Sequence, residues 1–125
     1  MQKITPFLWF DGKAEEAAKF YVSIFENFAL NGGPQYEFTP AISMFVSCET
    51  QAEVDYFWER LGVGGATNQC GWLTDRYGLS WQIVPSILHE LLQAPDRAKA
   101  QRAMNAMLKM TKLDIQGLQR AFDGE

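Results

Sequence analysis

The chain has 125 residues and a mass of 14.2 kDa, and 47% of its residues are hydrophobic, so by length and composition it is one globular domain. A net charge of -4 and a pI near 5.0 argue against a nucleic-acid binder, whose ligand demands a basic face. No apolar run approaches the ~20 residues that cross a bilayer, and Cys48 and Cys70 make no disulfide framework. Met1-Gln2-Lys3 leads straight into a first strand with no signal peptide, so the expected setting is the cytoplasm, away from membranes.

Ile4 to Phe10 reads as an extended, aromatic-rich strand ended by Asp11-Gly12. A helix follows from about Ala14 to Glu26, with Ala14, Ala17, Ala18, Tyr21, Ile24 and Phe25 on one stripe. Asn31-Gly32-Gly33-Pro34 has strong turn chemistry and reads as a loop. A strand from Ala41 to Cys48 comes next. Its Ile42, Met44 and Val46 lie on one face, and Ala41, Ser43, Phe45 and Ser47 on the other. Thr50 and Glu53 form a capping box before a helix carrying Val54, Phe57, Trp58 and Leu61, with Gly62 as its C-cap. The Gly62-Val63-Gly64-Gly65 run follows a helix, the reverse of a phosphate cradle, and reads as a helix stop.

The region from Cys70 to Val84 reads as one hairpin. Its arms are Cys70–Thr74 and Leu79–Val84, its type I turn is Asp75-Arg76-Tyr77-Gly78, and Pro85 is its stop. Beyond it, Ser86 is placed to cap a helix to Gln93 and Asp96 one reaching about Met110. Asp114 is placed to cap a last one through Phe122. Met104, Met107, Leu108 and Met110 make an apolar face, read as core first and as a dimer contact second. The two strand–helix starts, Ile4–Glu26 and Ile42–Leu61, echo one another as an internal duplication.

Ile4-Thr5-Pro6-Phe7-Leu8-Trp9-Phe10-Asp11-Gly12, Ala14-Glu15-Glu16-Ala17, Phe20-Tyr21 and the Asp75…Gly78…Trp81-Gln82-Ile83-Val84-Pro85 hairpin occur in this order. Together they closely resemble the PhnB-like branch of the vicinal oxygen chelate superfamily, whose other branches include glyoxalase I, bleomycin-resistance proteins and extradiol dioxygenases. Members of the branch often carry the name 3-demethylubiquinone-9 3-methyltransferase. The resemblance implies an α+β fold of paired βαβββ modules around a cavity, commonly completed in a homodimer. It divides the single domain, 1–125, into a first module over 1–33, a second over 41–85 and C-terminal helices over 86–125. The first module is short of about a hairpin near Phe28-Ala29. Either the deletion is genuine, with a partner or a rearrangement covering the open edge, or a further segment belongs between the two residues. The second is favoured, because losing paired strands costs more than a small domain's net stability, and it places their Cα atoms further apart than ~3.8 Å.

The resemblance also implies where a metal would be held. Its metal enzymes place a His in the first strand, a His opening the second module and a Glu on the last strand. These positions fall here at Ile4–Pro6, Ala41 and Gln82, none of which is a hard-metal ligand set. The single histidine, His89, stands on a later helix and reads as a surface or packing residue. No metal and no cofactor is therefore expected. No Gly-rich strand-to-helix turn serves a methyl donor, no Ser-His-Asp arrangement is formed, and no base beside Cys70 activates its thiol, which reads as a buried strand cysteine. What remains is a candidate pocket for a small apolar or aromatic molecule, drawn from Asn31, Ala41, Ser43, Phe45, Cys70, Trp72, Ser80, Gln82 and Val84. The same residues could instead simply fill the interior. The preferred function is a binder; a metal-independent enzyme, or the quinone methyltransferase of the name, is the alternative.

Overall fold

Aromatic, extended sequence ending in Asp11-Gly12 makes the first strand, β1 (Trp9–Asp11). Gly12 turns the chain at φ +64°, and α1 (Ala14–Val22) brings it back. This computed structural model describes residues 8–25, 31–33 and 37–125, which fall into two units, Met1–Thr39 and Pro40–Glu125. In the first unit the buried Ala17 and Tyr21 of α1 face the strand, with the Tyr21 ring 5.9 Å from that of Phe10. The helix stops at Val22, short of the expected Glu26. Both the hydroxyl and the N–H of Ser23 donate to Phe20 O, at 2.6 and 3.2 Å, which closes the last turn tightly.

Residues Asn31–Gly33, expected to be a loop, instead form a strand, β2, parallel to β1 with Trp9 opposite Asn31 and Asp11 opposite Gly33. Ladder bonds to β1 outweigh the local turn preference, and glycine tolerates the extended backbone they require.

The second unit repeats the plan in full. β3 (Ser43–Cys48) leads to α2 (Gln51–Gly62), then to β4 (Ala66–Thr67), β5 (Trp72–Thr74) and β6 (Ser80–Pro85). The sheet order is β3-β6-β5-β4, with β3 and β6 parallel and the other pairs antiparallel. As with β1 and β2, the strands on either side of the helix pair in parallel. Residues 63–79 separate α2 from β6 and carry the β4–β5 hairpin; only residues 23–30 separate α1 from β2. The first module thus has the outer strands of the βαβββ plan without the length for its middle pair. The Phe28–Ala29 link itself lies outside the described residues.

Several boundaries move. β3 begins at Ser43, leaving Ala41 in a turn and Ile42, 69% exposed, in a bend. Pro85, expected to stop β6, is its last residue, opposite Cys48, where a missing N–H costs little. α2 is capped as expected at its start, Thr50 Oγ1 accepting from Glu53 N–H at 3.2 Å while the Glu53 carboxylate accepts from Glu49 N–H at 2.6 Å. Its C-cap is Val63 rather than Gly62. Cys70 is not part of an extended arm: its φ is +59°, and β5 starts two residues later.

Three helices complete the unit, α3 (Ile87–Gln93), α4 (Arg97–Met107) and α5 (Ile115–Asp123). Asp96 and Asp114 cap α4 and α5 as their positions predict. Ser86 does not cap α3; its hydroxyl donates to the Glu49 carboxylate at 3.0 Å. α4 stops at Met107, before the expected Met110, as the Lys109 and Met110 N–H groups shift to three-residue bonds with Ala106 O and Met107 O. The helices share a core of Leu88, Leu91, Ala103, Leu113 and Leu118, with Met107 and Met110 packed against it, so part of the methionine stripe is core. Among the described residues no helix is long and apolar enough to cross a membrane.

The hairpin turn is held by Asp75, 3% exposed. Its Oδ1 accepts from Tyr77 N–H at 2.8 Å and Leu79 N–H at 3.1 Å, and its Oδ2 accepts from the Trp81 indole N–H at 2.8 Å. Asp75→Ala leaves three donors without this acceptor and is expected to destabilise the protein by about 3 kcal/mol or more. Asp75→Asn keeps one acceptor oxygen and is expected to cost about half as much. Urea unfolding of the two variants gives both values, and equal stability to wild type would show the turn to be held otherwise.

Cys48 closes β3 with no exposed surface, and burial first, then the charges of Glu53 and Glu49, pushes its thiol up to about 11. Native Cys48 is therefore expected to resist iodoacetamide at pH 8, read by peptide mass mapping. Because the folded-state value is raised, the stability this thiol contributes is intact below about pH 9 and declines as pH rises toward 11.

Candidate functional site

Alternation along β3, β5 and β6 sorts the side chains of the second unit's sheet onto two faces. Met44, Val46, Leu73, Trp81 and Ile83 share one, the apolar face against which α2 lies. The other face carries three rows. Ser43, Ser80 and Thr74 are in register in the first; Phe45, Gln82 and Trp72 form the second; Ser47 and Val84 form the third.

The middle row is the candidate site. Gln82 stands between two aromatic residues, Phe45 on one neighbouring strand and Trp72 on the other. Phe45 is 61% exposed, while Gln82 and Trp72 are half-buried. Gln82 Nε2 donates to Ser43 Oγ at 2.8 Å, which fixes the amide across the strands and aims its remaining hydrogen-bonding capacity away from that contact. Every group in the three rows is neutral. The face can stack an aromatic ring and hydrogen-bond to it, and it presents no acid, base or nucleophile of ordinary strength.

Of the residues singled out from the sequence, Ser43, Phe45, Trp72, Ser80, Gln82 and Val84 do share this face. Ser80 contributes little accessible surface, being 3% exposed. Ala41 lies outside the strand and is exposed in the preceding turn, because pairing with β6 starts at Ser43. Asn31 belongs to β2 of the first unit, and its side chain is not among the described residues. Cys70 is half-buried at the positive-φ turn before β5, not within a strand. His89 is exposed on α3. Among the described residues, no three His, Cys, Asp or Glu side chains are grouped to hold a metal ion.

The helices at one end of the face escape the sequence pattern. Val84, in the third row, also packs against the core of α3–α5, so the helices meet the face at that end. They are fastened there by Cys70 N–H to Met110 O and Gly71 N–H to Thr111 O, both 2.8 Å. Gly71 has φ +79°, and a Cβ on it would meet Ile83 O at 2.7 Å and Leu113 Cδ1 at 3.0 Å, so only glycine lets the segment approach. The glycine after Cys70 was the available signal, though a turn explains it equally well.

The family described as 3-demethylubiquinone-9 3-methyltransferase matches the chain over residues 2–30 and 27–84. The matched segments meet where the first module is short of its hairpin, and the match ends at Val84. Among solved structures, a PhnB protein from Bacillus cereus is similar at 34% identity, with 68% of this chain and 100% of that chain covered and a TM-score of 0.58. A Pseudomonas aeruginosa protein shares the fold at 18% identity, covering 68% of this chain and 98% of its own, with a TM-score of 0.57. Among curated proteins none matches. Two module starts, a complete βαβββ second unit and a family match over more than half of its length place the chain in the PhnB-like, 3-demethylubiquinone-9 3-methyltransferase-like family.

Proposed function

We propose that the protein binds a small apolar or aromatic molecule on the Phe45–Gln82–Trp72 row, without a metal, and that it binds rather than transforms that molecule. The observation that carries this reading is the register that sets an anchored amide between two aromatic side chains on an open sheet face. A ring stacked there gains from Phe45 and Trp72, while Gln82 selects for a hydrogen-bonding substituent. The metal positions of the wider superfamily fall at Ala41 and Gln82, whose methyl and amide groups do not replace imidazole and carboxylate. Methyl transfer, the reaction in the family's name, calls for a donor pocket, and the sequence carries no Gly-rich strand-to-helix turn of that kind.

A thermal-shift screen of quinones, aromatic antibiotics and phosphonates tests the reading. A ligand at a hundred times its Kd adds about 2.7 kcal/mol of stability. A hit is expected to weaken about tenfold in Phe45→Ala and to depend on Gln82 as well. Binding indifferent to both substitutions would remove the face from the account, and turnover of the hit would favour a metal-independent enzyme.

We also infer a homodimer, in which a second copy covers the exposed Ile42, 69% accessible in one chain. Light scattering is expected to give twice 14.2 kDa at working concentration; a 14.2 kDa particle would rule the dimer out.

A further inference from the structure

We propose that helices α3–α5, which follow the end of the family match, are the end wall of the ligand face, and that Val84 sets the length of ligand accepted. The inference rests on the binding reading of that face. Val84 carries it, because one side chain belongs to two structures at once. By register it stands two residues along β6 from Gln82 on the same face, opposite Ser47 of β3. By packing it belongs to the helical core of Leu88, Leu91, Ala103, Leu113 and Leu118. The helices therefore close the face at its third row rather than lying elsewhere on the sheet.

The wall is firmly seated. The Met110–Leu113 segment is bonded to Cys70 and Gly71, and Leu113 fills the space where a Gly71 side chain would stand. The Gln51 side chain holds the same segment from the other side, donating to Leu113 O at 3.1 Å and accepting from Ile115 N–H at 2.9 Å. Two residues of strand advance roughly 6.6 Å, so little length is available between the Gln82 amide and the wall. That space suits a single aromatic ring with a short apolar substituent pointing at Val84. A long alkyl chain pointing the same way meets packed helix.

The experiment measures binding of phenol and its 4-ethyl, 4-butyl and 4-hexyl derivatives by calorimetry to wild type, Phe45→Ala, Val84→Ala and Val84→Leu. In an open apolar site each added methylene is worth about fourfold in affinity. Wild type is expected to gain from phenol to the ethyl compound and then to level or fall. Val84→Ala is expected to move the optimum to butyl, and Val84→Leu to move it back toward phenol. The leucine variant keeps the contact with the helices, so it decides the matter even where the alanine variant loosens them. Affinity climbing through hexyl in wild type, or one optimum in all three Val84 forms, overturns the end wall while Phe45-dependent binding upholds the face. Binding that ignores Phe45→Ala, or no binding of any phenol, overturns the face and the wall together.

Discussion

The second unit's sheet depends on one buried carboxylate. Asp75 turns the β5–β6 hairpin by accepting from two backbone N–H groups, and it reaches along β6 to the Trp81 indole. The charge is held by three donors from three different residues, the condition under which burying a carboxylate is tolerable. That arrangement fixes the start of β6. Because side chains alternate with period two, fixing the start decides that Trp81 and Ile83 face α2 while Gln82 and Val84 lie on the opposite face. A slip of one residue would exchange the core for the candidate site.

The parallel pairing of β3 with β6 extends the same register to Phe45. Six paired positions put Ser43 beside Ser80 and Phe45 beside Gln82, so the aromatic–amide–aromatic row follows from backbone pairing and not from a loop's conformation. A site on paired strands keeps its geometry more closely than one on loops. The first module uses the same helix-flanked parallel pair, β1 with β2, with fewer residues in between.

Much of this was legible in the residues. The Asp75–Gly78 turn, the Thr50, Asp96 and Asp114 caps and the alternation of β3 and β6 depend on local chemistry, and each was read correctly. What was misread depends on partners distant in sequence. Asn31-Gly32-Gly33 has every mark of a loop and becomes a strand only because β1 offers it a ladder. Ser86 looks like a cap, yet Glu49 takes its hydroxyl. Cys70 follows an extended pattern, but the bonds from Cys70 and Gly71 to Met110 and Thr111 accompany a positive-φ turn there. Period-two alternation puts Ser43, Phe45, Ser80, Gln82 and Val84 on one sheet face, as the register does, whereas nothing in Val84 announces that the cluster it packs against extends to Leu113 and Leu118.

The seat of Gln51 has a consequence for how the helices stay attached. A primary amide offers a donor and an acceptor side by side, so its side chain bonds the Leu113–Ile115 backbone much as a neighbouring strand would. The nearby Asp55–Lys112 ion pair, 2.7 Å apart but about 40% exposed on each side, weakens with salt and disappears when the carboxyl is protonated. The amide carries no charge, but its Nε2 also donates to Asp55 Oδ1 at 3.1 Å, so only its two bonds to the Leu113–Ile115 backbone are free of that carboxylate. Together with the Cys70 and Gly71 bonds, those uncharged backbone contacts remain when protonation of Asp55 removes its bonds to Lys112 and Gln51, so acid loosens the join at one carboxylate without dissolving it.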